Sequence, residues 1–154
     1  MDYQKIIEFH GHSCPGLAIG YRMSRAALDA LSENRSADEE VVAIVENSAC
    51  GVDALQCLSG CTFGKGNLIF RDYGKHVYTL YSRKSGKGVR VSFDFDRVPE
   101  DVREDRERFT QWLLNTCADR AVRTTEVRID TPAPARIHDS VKCDRCGEPV
   151  METR

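Results

Sequence analysis

The chain has 154 residues and a mass of 17.3 kDa, enough for one domain with a real core, and 41% hydrophobic with 30% charged residues exclude disordered, collagenous and fibrous classes. Its 22 basic and 24 acidic side chains leave a net charge of −2, which argues against a general binder of nucleic acid or anionic membrane. Seven cysteines, at positions 14, 50, 57, 61, 117, 143 and 146, are the unusual feature, because an odd and clustered set cannot be paired within one chain. No charged leader precedes an apolar run, and no stretch approaches the roughly 18 apolar residues of a membrane span. A cytoplasmic protein without a membrane segment is therefore expected, in a compartment where clustered cysteines act as metal ligands or redox thiols.

In chain order, residues 2–9 suit a short helix, and Pro15 opens a longer one with Cys14 at its N-terminal boundary. Along that helix Leu17, Gly20, Tyr21, Ser24, Ala27, Leu28 and Leu31 recur at three and four, tracing a close-packing face of small and apolar residues. Val41 to Val45 is a mostly β-branched run that predicts a buried strand. Residues 52–58 read as a helix capped by Gly60, followed by a glycine-rich loop through Lys65. Three β-type runs, 68–73, 77–83 and 89–95, are separated by glycine-containing gaps that predict an antiparallel meander.

Pro99 then opens a second long helix with Val102, Arg106, Phe109, Leu113 and Thr116 on one stripe, and residues 124–129 suit a last strand. The expected architecture is α+β, a mixed or antiparallel sheet with packed helices. Residues 1–130 would form the body, 131–138 an extended linker, and 139–154 a small zinc-knuckle-like appendage that needs a staple to hold shape.

Chemistry concentrates in two segments of the body. In HGHSCPG the residue before proline is pushed out of the helical region, so Cys14 should be extended, and an extended approach would alternate His10, His12 and Cys14 onto one side. Imidazole and thiolate suit zinc and related transition metals, and the N-terminus of the following helix favours an anion at Cys14. The second segment brings Cys50, Asp53 and Cys57 within helical spacing, with Cys61 after the helix end. A body site drawn from His10, His12, Cys14, Cys50 and Cys61 is expected, while Cys57 and Cys117 read as small packing residues. The loop from Gly60 to Lys65 departs from P-loop spacing, though Lys65 remains a candidate for holding an anion.

Near the C-terminus, KCDRCGEP is a cysteine knuckle in which Cys143 and Cys146 can reach one tetrahedral metal while Gly147 allows the turn. That is half a site, for which His138 is a third ligand, with the fourth coming from Glu148, water or a partner chain. Lys142, Arg145 and Arg136 add local positive charge without interleaved aromatics, which makes nucleic acid a poor partner.

The strings HGHSCPGLAIGYRMS and CGVDALQCLSGCTFGKGNL, with the C-terminal cysteine pair, resemble the E-subunit family of formylmethanofuran dehydrogenase over nearly the whole chain. The resemblance implies an α+β body with a small zinc-finger domain, a homodimer, and an association with a molybdenum or tungsten enzyme complex whose chemistry lies in its other subunits. It maps His10, His12, Cys14, Cys50, Asp53, Gln56, Cys61 and Lys65 onto motif positions, and its zinc finger has a second cysteine pair beyond the Cys143/Cys146 pair. The expected function is a metal-binding accessory protein that carries, senses or delivers zinc, another transition metal or a small ligand. Two alternatives stand beside it: an enzyme using Cys14 as a thiolate with a metal or Lys65 stabilising negative charge, and a partner or nucleic-acid contact made by the knuckle.

Overall fold

The computed structural model describes residues 2–116 and 118–152. Its first helix, α1 (Tyr3–His10), is N-capped by the Asp2 carboxylate and stopped by Gly11 at φ 99°, a left-handed conformation that favours glycine. Cys14 has the extended backbone its proline neighbour demands, φ −153° and ψ 163°, and its sulfur accepts the Leu17 N–H as the N-cap of α2 (Pro15–Leu31). One face of α2 is buried against the sheet and helices, and it carries Leu17, Met23, Ala27 and Leu31 into the core.

The strands are β1 (Val41–Val45), β2 (Leu68–Phe70), β3 (Val77–Ser82), β4 (Gly88–Phe93) and β5 (Val122–Val127), in the sheet order β2-β1-β3-β4-β5. Between β1 and β2 lies α3 (Gly51–Ser59), ended by Gly60 at φ 72°. The body is thus α+β with a mixed sheet, but the meander starts one strand later than the glycine spacing suggests. β2 runs parallel to β1, with Ile44 opposite Ile69, and is not hairpinned to β3. The cause is the path of the chain after β2: Arg71 N–H bonds the Val45 carbonyl, Tyr73 and Lys75 N–H bond the Glu46 carbonyl, and Asn47 Nδ2 holds the Lys75 carbonyl at 2.9 Å. These bonds wrap residues 71–75 over the end of β1, so β3 enters on its far side.

The helix expected from Pro99 is also divided. A 3-10 turn at Phe95–Arg97 and α4 (Glu100–Arg103) precede α5 (Arg106–Asn115), and the Asp105 carboxylate accepts the Arg108 N–H at 2.8 Å, creating a fresh N-terminus where the pattern alone reads through. The short α6 (Ala118–Ala121) leads into β5. Cys117, expected to be a packing residue, lies outside the described residues.

All five residues of β1 are buried, which requires cover on both faces of the sheet. Helices cover the face carrying Val41, Ala43 and Val45. Residues 128–135 cross the other face, where Tyr81 shares a 2.8 Å hydrogen bond with Thr131, Arg83 donates to the Pro132 and Ala133 carbonyls, and the Ala135 N–H reaches Glu39 at 2.9 Å. The proline-rich run expected as a linker is therefore bonded to the body along Thr131–Ala135. Beyond it, β6 (Ser140–Lys142) and β7 (Pro149–Met151) form a hairpin whose tip carries Cys143 and Cys146. Among the described residues no helix is long and apolar enough to cross a membrane.

Where α2 crosses α3 the two backbones touch. A Cβ at Gly20 would fall inside the Cα and carbonyl oxygen of Gly51, and one at Gly51 would lie 2.5 Å from the Tyr78 hydroxyl and 2.9 Å from Gly20 Cα. Backbone cannot retreat as a flexible side chain can, so an added methyl must separate the helices. Gly20→Ala is expected to destabilise the protein by about 3 kcal/mol in urea unfolding. Gly64→Ala, where the new methyl meets open space, should stay within about 0.5 kcal/mol of the parent.

Candidate metal centre

The helix crossing brings two N-termini together, and each begins with a cysteine. Cys14 caps α2 and Cys50 precedes α3, while His10 is the last residue of α1. A His10 ring nitrogen, the Cys14 sulfur and the Cys50 sulfur all lie within 4.8 Å of one another, and this is the one such group of three among the described residues. His10 reaches the group from a helix terminus, not from the extended alternation expected of His10, His12 and Cys14.

The imidazole is fixed by α3. Its Nδ1 lies 2.6 Å from Asp53 Oδ2, and Asp53 is held in turn by Gln56, whose Nε2 donates to Oδ1 at 3.3 Å. The Gln56 carbonyl oxygen accepts the Phe63 N–H at 3.4 Å, so the glycine-rich loop is the outermost member of the chain of bonds. With Nδ1–H committed to a carboxylate, the Nε2 lone pair is the free one. That Nε2 is buried and has no hydrogen-bond partner. An orphaned buried nitrogen is costly unless something fills its lone pair, and two thiols beside it complete a donor set suited to zinc or a related soft transition ion.

Electrostatics point the same way. Burial pushes the Cys50 thiol up from its ordinary value, and the Cys14 sulfur beside it pushes further, so two thiolates here need a cation between them. The Gly16 position explains how the pair stays accessible: a Cβ there would sit 3.9 Å from both sulfurs, in the space the glycine leaves free. Tyr3 steadies the approach, its hydroxyl 3.2 Å from that of Ser13.

Other expected site residues are placed elsewhere. His12 is exposed and stacks on His10 with ring centroids 4.6 Å apart, outside the group of three. Cys61 is fully buried, donates to the Val41 carbonyl at 3.2 Å, and its thiol is pushed up to about 11 by burial, so it acts as a core residue bonded to a strand end. Lys65 is not brought to Cys14: its Nζ donates to the carbonyls of Ser36, Ala37 and Asp38 at 3.4, 3.3 and 3.0 Å, tying the glycine loop to the segment before β1. Cys57 is partly buried against the core.

In the hairpin, Cys143 N–H bonds the Glu148 carbonyl and Gly147 N–H bonds the Cys143 carbonyl, both at 2.8 Å, with Gly147 at φ 77°. Backbone amides of Cys146, Arg145 and Gly147 hold the Cys143 thiol below its ordinary value, as befits a knuckle, and Cys146 lies 3.5 Å from Glu148 Oε2. His138 does not join the two thiols in a group of three.

The family model described as FmdE, molybdenum formylmethanofuran dehydrogenase operon, matches residues 9–139. The chain belongs to the FmdE family. The matched segment contains His10, Cys14, Cys50 and Asp53 and stops short of the knuckle. An FmdE-like protein of tungsten formylmethanofuran dehydrogenase from Syntrophus aciditrophicus has the same fold, with a TM-score of 0.74 and 25% identity over 99% of this chain and 88% of that one. An Archaeoglobus fulgidus protein named as a probable S-adenosyl-L-methionine-binding protein is 32% identical over 175 aligned positions, covering 96% of this chain. Those positions are 48% of that protein, so the chain spans about half the length of this curated relative.

Sequence reasoning grouped Asp53 with the cysteines but missed what it does. Its place three residues after Cys50, on the face of α3 turned toward α1, is the signal that marks it as the partner of His10.

The Cys61 thiol has a testable consequence. Its proton is held more tightly in the folded than in the unfolded chain, so the contribution is complete below the ordinary thiol value of 9.0 and is lost as pH rises through about 11. Between pH 9 and 11 it amounts to roughly 3 kcal/mol. Cys61→Ala should have a lower baseline stability and a shallower loss over that window in denaturant titrations at successive pH values.

Proposed function

We propose that this FmdE-family protein binds one transition-metal ion, zinc being the first candidate, through His10 Nε2, Cys14 Sγ and Cys50 Sγ, and that it works as an accessory protein carrying, sensing or delivering that ion or a small ligand held on it. The observation that carries the reading is the buried His10 Nε2, unpartnered and in a group with two thiols while Asp53 fixes the ring from behind. Three protein ligands are the number found at sites that keep an exchangeable position.

Bound there, the metal would supply Lewis acidity and a position for water or a small ligand. The protein's own residues do the rest. Asp53 holds the His10 proton on Nδ1, Gln56 holds Asp53, and the Leu17 N–H donates to Cys14 Sγ at 3.4 Å. In this reading Cys143 and Cys146 are a second, structural metal station completed by a further ligand. A homodimer and an association with a molybdenum or tungsten enzyme are the partners suggested by the family. An enzyme using Cys14 with Lys65 gains no support from geometry, because the Lys65 ammonium is already bonded to three carbonyls.

Elemental analysis of untagged protein, after a Cys143→Ser/Cys146→Ser double substitution removes the knuckle, tests the body site alone. Close to one equivalent of metal is expected, falling below about a tenth with Cys50→Ser, and Asp53→Asn should weaken affinity roughly 10- to 100-fold by losing the ring's orienting bond. Retention of the metal in Cys50→Ser, or no metal in the double variant under reducing conditions with added zinc, would overturn the proposal.

A further inference from the structure

The face of the sheet opposite the metal centre holds a preformed groove of about 670 Å³ under the strap made by residues 128–133. Its floor is apolar, from Ile44 of β1 and Ile69 of β2, with Ile129 of the strap closing one side. The roof does not depend on an occupant: the Tyr81, Arg83 and Glu39 bonds fix Thr131 through Ala135. At Gly88 a Cβ would lie 2.7 Å from the Val127 carbonyl and 3.7 Å from Ile129 Cγ1, so the glycine lets the strap leave β5 close to the sheet.

Two arginines stand at this groove, Arg71 after β2 and Arg128 at the start of the strap, with Asp130 as the one carboxylate in its wall. Among the described residues none of these three side chains has a hydrogen bond or ion pair, whereas Arg83 and Arg90, on neighbouring strands, are paired with Glu39 and Glu46. Apolar lining with a few charged groups at the mouth, in a volume of several hundred Å³, is the usual make-up of a small-molecule site. Two guanidiniums against one carboxylate leave a net positive rim, and a guanidinium fork matches carboxylate or phosphate oxygens.

We propose that this groove binds an amphiphilic organic anion, its acidic head held by Arg71 and Arg128 and its apolar body laid on Ile44, Ile69 and Ile129. Nothing in this assignment passes through His10, Cys14 or Cys50, so it stands or falls apart from the metal centre. The shared chemistry is an alkyl or aryl chain ending in a carboxylate or phosphate, and the rim alone does not choose between the two heads.

Isothermal titration of the full chain with octanoate, octyl phosphate, 1-octanol and inorganic phosphate separates head from body. The expected result is saturable binding of one or both octyl anions, at least tenfold weaker binding of 1-octanol and of inorganic phosphate, and weakening of the anion by added salt. Arg71→Gln/Arg128→Gln should lower octyl-anion affinity at least tenfold while leaving circular dichroism, melting temperature and metal content unchanged, which excludes misfolding as the cause. Ile129→Ser should weaken the octyl anions and leave inorganic phosphate unaffected. Which octyl anion binds more tightly identifies the head. Absence of anion binding at millimolar concentration, or equal affinity for 1-octanol, or an unaltered double variant, would overturn the proposal. So would the finding that the two arginine substitutions change only the oligomeric state in sedimentation, which would make this face a contact between copies of the chain.

Discussion

The backbone contact between Gly20 and Gly51 is the constraint on which the site rests. Two helices can begin with cysteines and still leave their sulfurs far apart. Here α2 and α3 cross with no side chain between them, and the crossing lies within two turns of each N-terminus, so Cys14 and Cys50 meet beside it. Tyr78 of β3, fully buried beneath Gly51, fixes the height of that crossing above the sheet. Sheet, crossing and thiol pair are thus one rigid assembly, a scaffold that holds metal ligands close without the entropic cost of ordering loops.

His10 is joined to that assembly by a different means. It ends a short helix, and what places its ring is the Asp53 carboxylate, itself braced by Gln56 and, through Gln56, by the Phe63 amide of the glycine loop. The loop in turn is anchored by Lys65 and by Asn67, whose amide donates to the Asp38 and Val41 carbonyls. The glycine-rich loop is therefore better understood as the outer support of a histidine than as a phosphate cradle. Two residues that invite a chemical role by type, Cys61 and Lys65, are consumed in holding this support to β1.

Much of this was legible in the residues. Pro15 after an extended Cys14, the β-branched run of β1, the Gly60 cap and the knuckle at Cys143 and Cys146 each follow from a local rule, and local rules survive folding. What escaped depends on contacts between distant segments. The three-residue β2 is too short to declare its partner, and its parallel pairing is fixed by residues 71–75 wrapping over Glu46. The α5 boundary hangs on whether Asp105 turns its carboxylate onto the Arg108 amide. The proline-rich run is extended as its composition demands, but the residues that bond it, Glu39, Tyr81 and Arg83, lie about 50 to 100 positions away. Likewise no spacing rule tells Cys61 from Cys50: only the packed core shows that one thiol faces a strand carbonyl and the other faces a second thiol and an imidazole.

The central claim is that one ion unites the end of α1 with the starts of α2 and α3. X-ray absorption at the zinc edge addresses it most directly, on protein whose knuckle cysteines are replaced so that only the body site is loaded. The expected shell has two sulfurs at about 2.3 Å and imidazole nitrogen at about 2.0–2.1 Å, with the imidazole scattering lost in His10→Ala. A shell without sulfur, or one in which His10→Ala changes nothing, would contradict it.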